Sequence, residues 1–175
     1  LTYEMYQDNF FDNNLFRNLP YSSTVKALMI ADAQQYPLET GGNQITRNVQ
    51  GWGTPDMENM YNLGAEYHVI EEYPQALNGG DSWNRSIYVD GTHKLNVSLV
   101  WIDPAAPSGT GTGRALINNL DLKVTSPIGT NYWGNNGLGD SLWSSPGTGS
   151  NRWAIPEDAS YRDDRNNVEN VFIVS

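Results

Sequence analysis

Apolar and polar residues alternate along Leu95-Asn-Val-Ser-Leu-Val-Trp101. That period of two puts Leu95, Val97, Leu99 and Trp101 on one face of a strand and Asn96 and Ser98 on the other. A second alternating run, Leu120-Asp-Leu-Lys-Val124, turns Leu120, Leu122 and Val124 toward a core and leaves Asn119, Asp121 and Lys123 opposite. A Pro/Gly/Ser/Thr loop over residues 104–113 separates the two, and Ser126-Pro127-Ile128-Gly129 marks the turn after them. Tyr132-Trp-Gly-Asn135 closes a further strand, and residues 167–174 form a last one. Weaker strand signals near residues 67–72 and 86–89 flank the hairpin-type turn Asn78-Gly79-Gly80-Asp81. Between residues 134 and 156 the pattern is that of a long Gly/Asn/Ser/Pro/Trp loop.

The first third of the chain has the other period. Val25, Leu28, Met29 and Asp32 recur at helical spacing over residues 24–34, Ala27, Ile30, Ala31 and Ala33 widen the apolar face, and Ser22 or Ser23 stands where a cap is needed. A helix apolar on more than one side predicts more neighbours than a β-rich remainder supplies. The turn Gln50-Gly51-Trp52-Gly53-Thr54-Pro55 leads to a short helix over residues 56–62. Residues 1–16, with Tyr3, Tyr6, Phe10 and Phe11 as a stripe, read as a helical or irregular lead-in that Asn18-Leu-Pro20 breaks.

Composition narrows the function. A net charge of −10 and a pI near 4.4 oppose binding to nucleic acid and to anionic membrane surfaces. No cysteine is present, so disulfides, thiolate zinc sites and cysteine nucleophiles are excluded. No apolar run reaches the roughly 20 residues that span a bilayer. The opening Leu1-Thr-Tyr-Glu-Met has neither the basic start nor the apolar middle of a signal peptide, and reads as a segment of something longer. Plentiful Trp, Tyr, Asn and Gly with little Lys suit an extracellular β-rich protein.

In order along the chain, several segments resemble one family. Ser22-Ser-Thr-Val-Lys-Ala-Leu-Met-Ile30 is similar to the last core helix of the subtilisin-like serine protease domain, and Gln50-Gly-Trp-Gly53 to the turn that follows it in subtilases carrying a C-terminal β-barrel. Leu95-Asn-Val-Ser-Leu-Val-Trp-Ile-Asp-Pro104 and Leu116-Ile-Asn-Asn-Leu-Asp-Leu-Lys-Val-Thr-Ser-Pro127 resemble the first half of their jelly-roll barrel, and Asp164-Arg-Asn-Asn-Val-Glu-Asn-Val-Phe172 a later strand. The family usually has Asn-Asp-Leu-Asp where this chain has Asn118-Asn119-Leu120-Asp121. The resemblance implies a mainly β fold: an antiparallel jelly-roll β-sandwich over residues 65–175, incomplete at its C-terminus, preceded over residues 1–64 by the last helices of a subtilisin-like α/β domain. It implies the C-terminal segment of a secreted serine endopeptidase whose β-barrel stabilises the catalytic domain. The catalytic Asp, His and Ser would lie upstream, so the fragment alone is expected to be inactive. Its partners would be a protein or peptide substrate, reached through the catalytic domain, and the upstream catalytic portion itself, held non-covalently if a precursor is processed.

The residues offer little catalytic chemistry of their own. His68 and His93 are the two histidines, and no serine sits in a nucleophile elbow. Asp103 and Asp121 have no spacing that marks a glycosidase pair. Calcium is the ligand the oxygen donors suit: Asn119 and Asp121 share a strand face, and Asp163 and Asp164 stand beside the strand expected to neighbour it. Barrel subtilases are generally calcium-dependent, which points the same way. The alternative is a free-standing β-sandwich binding module for carbohydrate or protein, with Trp133, Trp143 and Trp153 as stacking rings. Asn84-Arg-Ser86 and Asn96-Val-Ser98 match the glycosylation sequon.

Overall fold

The computed structural model describes residues 20–36, 47–71, 76–107, 115–147 and 162–174. The lead-in over residues 1–16, the far part of the 134–156 loop and Trp153 lie outside the described residues. Among those described, a few short helices accompany three two-stranded antiparallel sheets, and no sandwich or jelly roll is formed by them.

Helix α1, Ser22–Ala31, follows Tyr21 with no side-chain cap. It buries Thr24, Leu28 and Ile30 and stops short of the predicted residue 34. Tertiary contacts end it. The buried Asp32 carboxylate takes hydrogen bonds from the Asn59 amide and the Tyr67 hydroxyl. Beyond it, Ala33–Gln34 (β1) pairs antiparallel with Thr54–Pro55 (β2). Between them a short turn of helix, Arg47–Gln50 (α2), leads through Gly51 and Gly53, both at positive φ, where a side chain would be strained. At Gly53 the approach is also tight, since a Cβ would overlap the Gln34 carbonyl. Helix α3, Met57–Asn62, forms as the pattern predicts, with Asp56 as its cap accepting from Asn59 N at 2.9 Å.

The main ladder joins β3, Leu95–Val100, to β6, Val168–Ile173, with Asn96 opposite Phe172 and Val100 opposite Val168. The smaller one joins β4, Lys123–Thr125, to β5, Asn131–Trp133. The alternation around β4 is as read, Leu122 and Val124 half-buried and Asp121 and Lys123 exposed, though residues 120–122 lie outside the strand. Among the described residues, neither predicted strand around the Asn78 turn takes part in a ladder. The turn itself forms, with Gly80 at φ 88° and Asp81 N bonded to Asn78 O at 3.0 Å. Residues 67–71 are irregular, and Ser86–Val89 carries Ile87, Tyr88 and Val89 exposed.

Two apolar clusters run across the expected boundary at residue 64. Leu28 and Met60 pack with Val69, flanked by Met57 and Tyr67. Ile30 packs with Leu138, Val168 and Phe172, flanked by Trp52, Val100 and Trp143. The Arg47 guanidinium stacks on the rings of Trp52 and Phe172, 5.0 and 4.8 Å from their centroids, and burial pulls its pKa down to about 10.

A buried carboxylate cluster as candidate functional site

Strand β6 is buried along nearly its whole length, yet Glu169 and Asn170 interrupt its apolar residues. Their placement follows from the alternation. Val168, Asn170 and Phe172 face the side where α1 packs, whereas Glu169 and Val171 face the opposite side.

The outer edge of β6 is closed by backbone and side-chain groups of Asn135 and Ser144 together. Asn135, at φ 60°, donates its amide to Val168 O at 2.7 Å, accepts from Asn170 N at 3.0 Å, and gives its own N–H to Asn170 O at 2.8 Å. Ser144 does the same at Phe172, through its N–H at 2.8 Å and its hydroxyl at 3.0 Å. An Asn tolerates the left-handed backbone better than most residues, and here its amide completes a ladder. Gly134 beside it gives its N–H to Leu122 O at 2.9 Å, and a Cβ there would overlap the Glu169 carboxylate.

Glu169, Asp163 and Asp164 are fully buried, at 1%, 0% and 0% exposure. Glu169 Oε2 accepts the Leu122 N–H at 2.6 Å, while Oε1 has no hydrogen-bond partner among the described residues. Asp163 caps the turn before β6: its oxygens accept the backbone N–H groups of Arg165 and Asn166 and the side-chain amides of Asn135 and Asn166. Asp164 accepts the Asn119 amide at 3.0 Å, and the Asn119 Oδ1 is buried without a donor. Asp121 meets Arg162 at 3.3 Å on the half-open rim. The four candidate residues are therefore brought into one neighbourhood, around a fifth, Glu169, that sequence reasoning left in an ordinary strand. A Glu-Asn pair inside a strand otherwise read as apolar was the available signal.

Burial pushes the Glu169 carboxyl up to about 9, with Asp163, Asp121 and Asp164 adding repulsion and the Leu122 N–H opposing it. Burial also raises Asp163, against the hydrogen bonds of Asn135 and Asn166. Among the described residues, Arg162 is paired with Asp121 at the edge of this group. A carboxylate buried like that of Glu169, with one oxygen unpartnered, either keeps a proton or recruits a cation.

As to fit for calcium, the donors are all oxygen, and two buried acceptor atoms, Glu169 Oε1 and Asn119 Oδ1, lack partners. Asp163 has its oxygens engaged in the turn, and among the described residues no three acidic or histidine side chains are drawn together as a metal-binding group.

The remaining chemistry lies elsewhere. His68 is exposed, and exposed His93 contacts Asp90 at 3.3 Å within its own turn, where Thr92 gives its hydroxyl to the same carboxylate at 2.7 Å. Asp103 accepts the N–H groups of Ile117 and Asn118, both at 2.8 Å. Trp133 lies under Lys123 and against Gly147, and Trp143 packs on the Ile30 cluster. No family model matches this chain, nor does any curated protein or any solved structure.

Proposed function

We propose that this chain is the C-terminal part of a secreted subtilisin-like serine endopeptidase. In this reading its β-rich portion, a jelly-roll sandwich when complete, braces the last helix of the catalytic domain. The observation that carries the reading is how α1 is held. Asn96 on β3 donates its amide to Ala31 O at 2.6 Å, at the helix's C-terminal end, and Ile30 sits in the cluster with Val168 and Phe172. The β module thus grips the helix by its backbone and by its core. Val25 and Met29 line an open groove of about 470 Å³ with Trp52, Pro55 and Ala33. An apolar helix gripped on one side and open on another suits a element lodged between two bodies, with the catalytic domain as the second.

Calcium belongs to the same proposal. Asn119, Asp121 and Asp164 would have to draw closer to hold it with Glu169, since among the described residues no three acidic side chains stand together as a metal-binding group, and Asp163 would add negative charge behind them. The ion would supply positive charge beside the buried Glu169 carboxylate, whose Oε1 has no hydrogen-bond partner among the described residues. Its role here is to hold β6 and the segment around residue 121 together, with no part in bond cleavage. Peptide hydrolysis rests on the upstream Ser, His and Asp, and the substrate is a protein or peptide.

The experiment has two arms. The purified 175-residue chain is expected to hydrolyse no peptide or casein substrate. Peptide mapping of the native protein is expected to find sequence upstream of Leu1 with a serine-reactive probe attached in a Gly-Thr-Ser motif. Turnover by the pure chain, or a native product that starts near Leu1 and travels with nothing upstream, overturns the reading.

A further inference from the structure

Two Asn-Gly pairs occur in the chain, Asn78-Gly79 and Asn136-Gly137, and the fold places them in opposite surroundings. Asn78 is exposed, in the turn closed by Asp81 N to Asn78 O. Among the described residues its side chain has one hydrogen bond, from its amide to the exposed Asp81 Oδ2 at 3.2 Å. The Gly79 nitrogen donates to no described residue, and a Cβ on Gly79 would meet nothing within 4 Å, so the space beside that backbone is open. Asn136 is 5% exposed, and its amide is tied to the carbonyls of Ser145 at 3.0 Å and Pro146 at 3.3 Å. A Cβ on Gly137 would press into Ser145, so its backbone is packed.

We propose that Asn78 is a site of spontaneous deamidation in the folded protein, and that the fold protects Asn136 from the same reaction. The Gly79 backbone nitrogen loses its proton to solvent base and attacks Asn78 Cγ. A carbon–nitrogen bond forms, the side-chain nitrogen takes a proton and leaves as ammonia, and a five-membered succinimide remains. Water then adds to one of its two carbonyls. One opening leaves aspartate; the other leaves isoaspartate, in which the backbone passes through the side-chain carbon. No oxidant or reductant takes part. The attack requires backbone rotation at the Asn and approach of an unshielded nitrogen, both available at a glycine turn facing solvent and denied where side chain and backbone are locked. The product carries a new carboxylate beside Asp81, and in the isoaspartyl form an extra backbone carbon inside the turn. Both changes oppose the Asp81 contacts that close it.

The test is to hold the 175-residue chain at mildly alkaline pH, folded and in urea, and to follow both peptides by mass spectrometry with enzymatic isoaspartate labelling. In the folded chain, the peptide carrying Asn78 is expected to gain the mass of the amide-to-acid exchange while the Asn136 peptide stays unchanged. In urea both should react at similar rates. Gly79→Ala, which the open space accommodates, is expected to slow the reaction at Asn78 without altering the circular dichroism spectrum. An unreacted Asn78 in the folded chain, or Asn136 reacting as fast as Asn78 there, overturns the proposal.

Discussion

Replacing Glu169 with Gln tests the electrostatic account of the cluster. The folded carboxyl titrates near 9, against 4.5 for the free side chain. It therefore keeps its proton in the folded state at pH values where the unfolded chain has lost it. Between about 4.5 and 9 the folded state binds the extra proton, so this group's contribution to stability is most favourable below 4.5 and declines as pH rises. The slope is about 1.4 kcal/mol per pH unit, which from pH 5 to pH 8 accumulates to roughly 4 kcal/mol. Gln keeps the shape and the acceptor for the Leu122 N–H and has no proton to lose. Urea unfolding in the presence of a chelator, at one-unit pH steps, should show E169Q gaining on the wild type by about that slope, with the largest advantage at pH 8. Unfolding curves that stay parallel across this range would refute the buried, proton-holding carboxyl. With calcium added, the wild-type penalty should shrink, because an ion beside Glu169 favours its charged form; E169Q should respond less.

Two further substitutions test how the helical part is held. Gly53→Ala places a Cβ at φ 98° against the Gln34 carbonyl, and is expected to cost about 3 kcal/mol and loosen the β1–β2 pairing, read as a drop in melting temperature. Asp56→Ala removes the cap of α3 and should cost about 1 kcal/mol, whereas Asp56→Ser should recover most of it in the same measurement.

Local pattern determined much of this molecule. The strand over residues 95–100, the last strand, the capped helix from Met57, the Gly51 and Gly53 turn and the Asn78 turn all follow from periodicity and from residues suited to one backbone conformation. These are short-range effects, decided within a few residues. Pairing was decided elsewhere. Leu95–Val100 takes Val168–Ile173 as its partner across nearly 70 intervening residues, and alternation in one strand carries no record of its neighbour. Helix α1 ends at Ala31 because Asp32 is bonded by Asn59 and Tyr67 and because Ala33–Gln34 pairs with Thr54–Pro55, partners that helical spacing cannot name. The run Ser86–Val89 has strand composition and no ladder among the described residues, since propensity supplies no partner. The candidate site divides in the same way. Asn119, Asp121, Asp163 and Asp164 were legible as oxygen donors, but Glu169 became their centre only when β6 carried it under Gly134, where the glycine's missing side chain makes room. Charge is written in the sequence; the burial that moves its pKa comes from residues far along the chain.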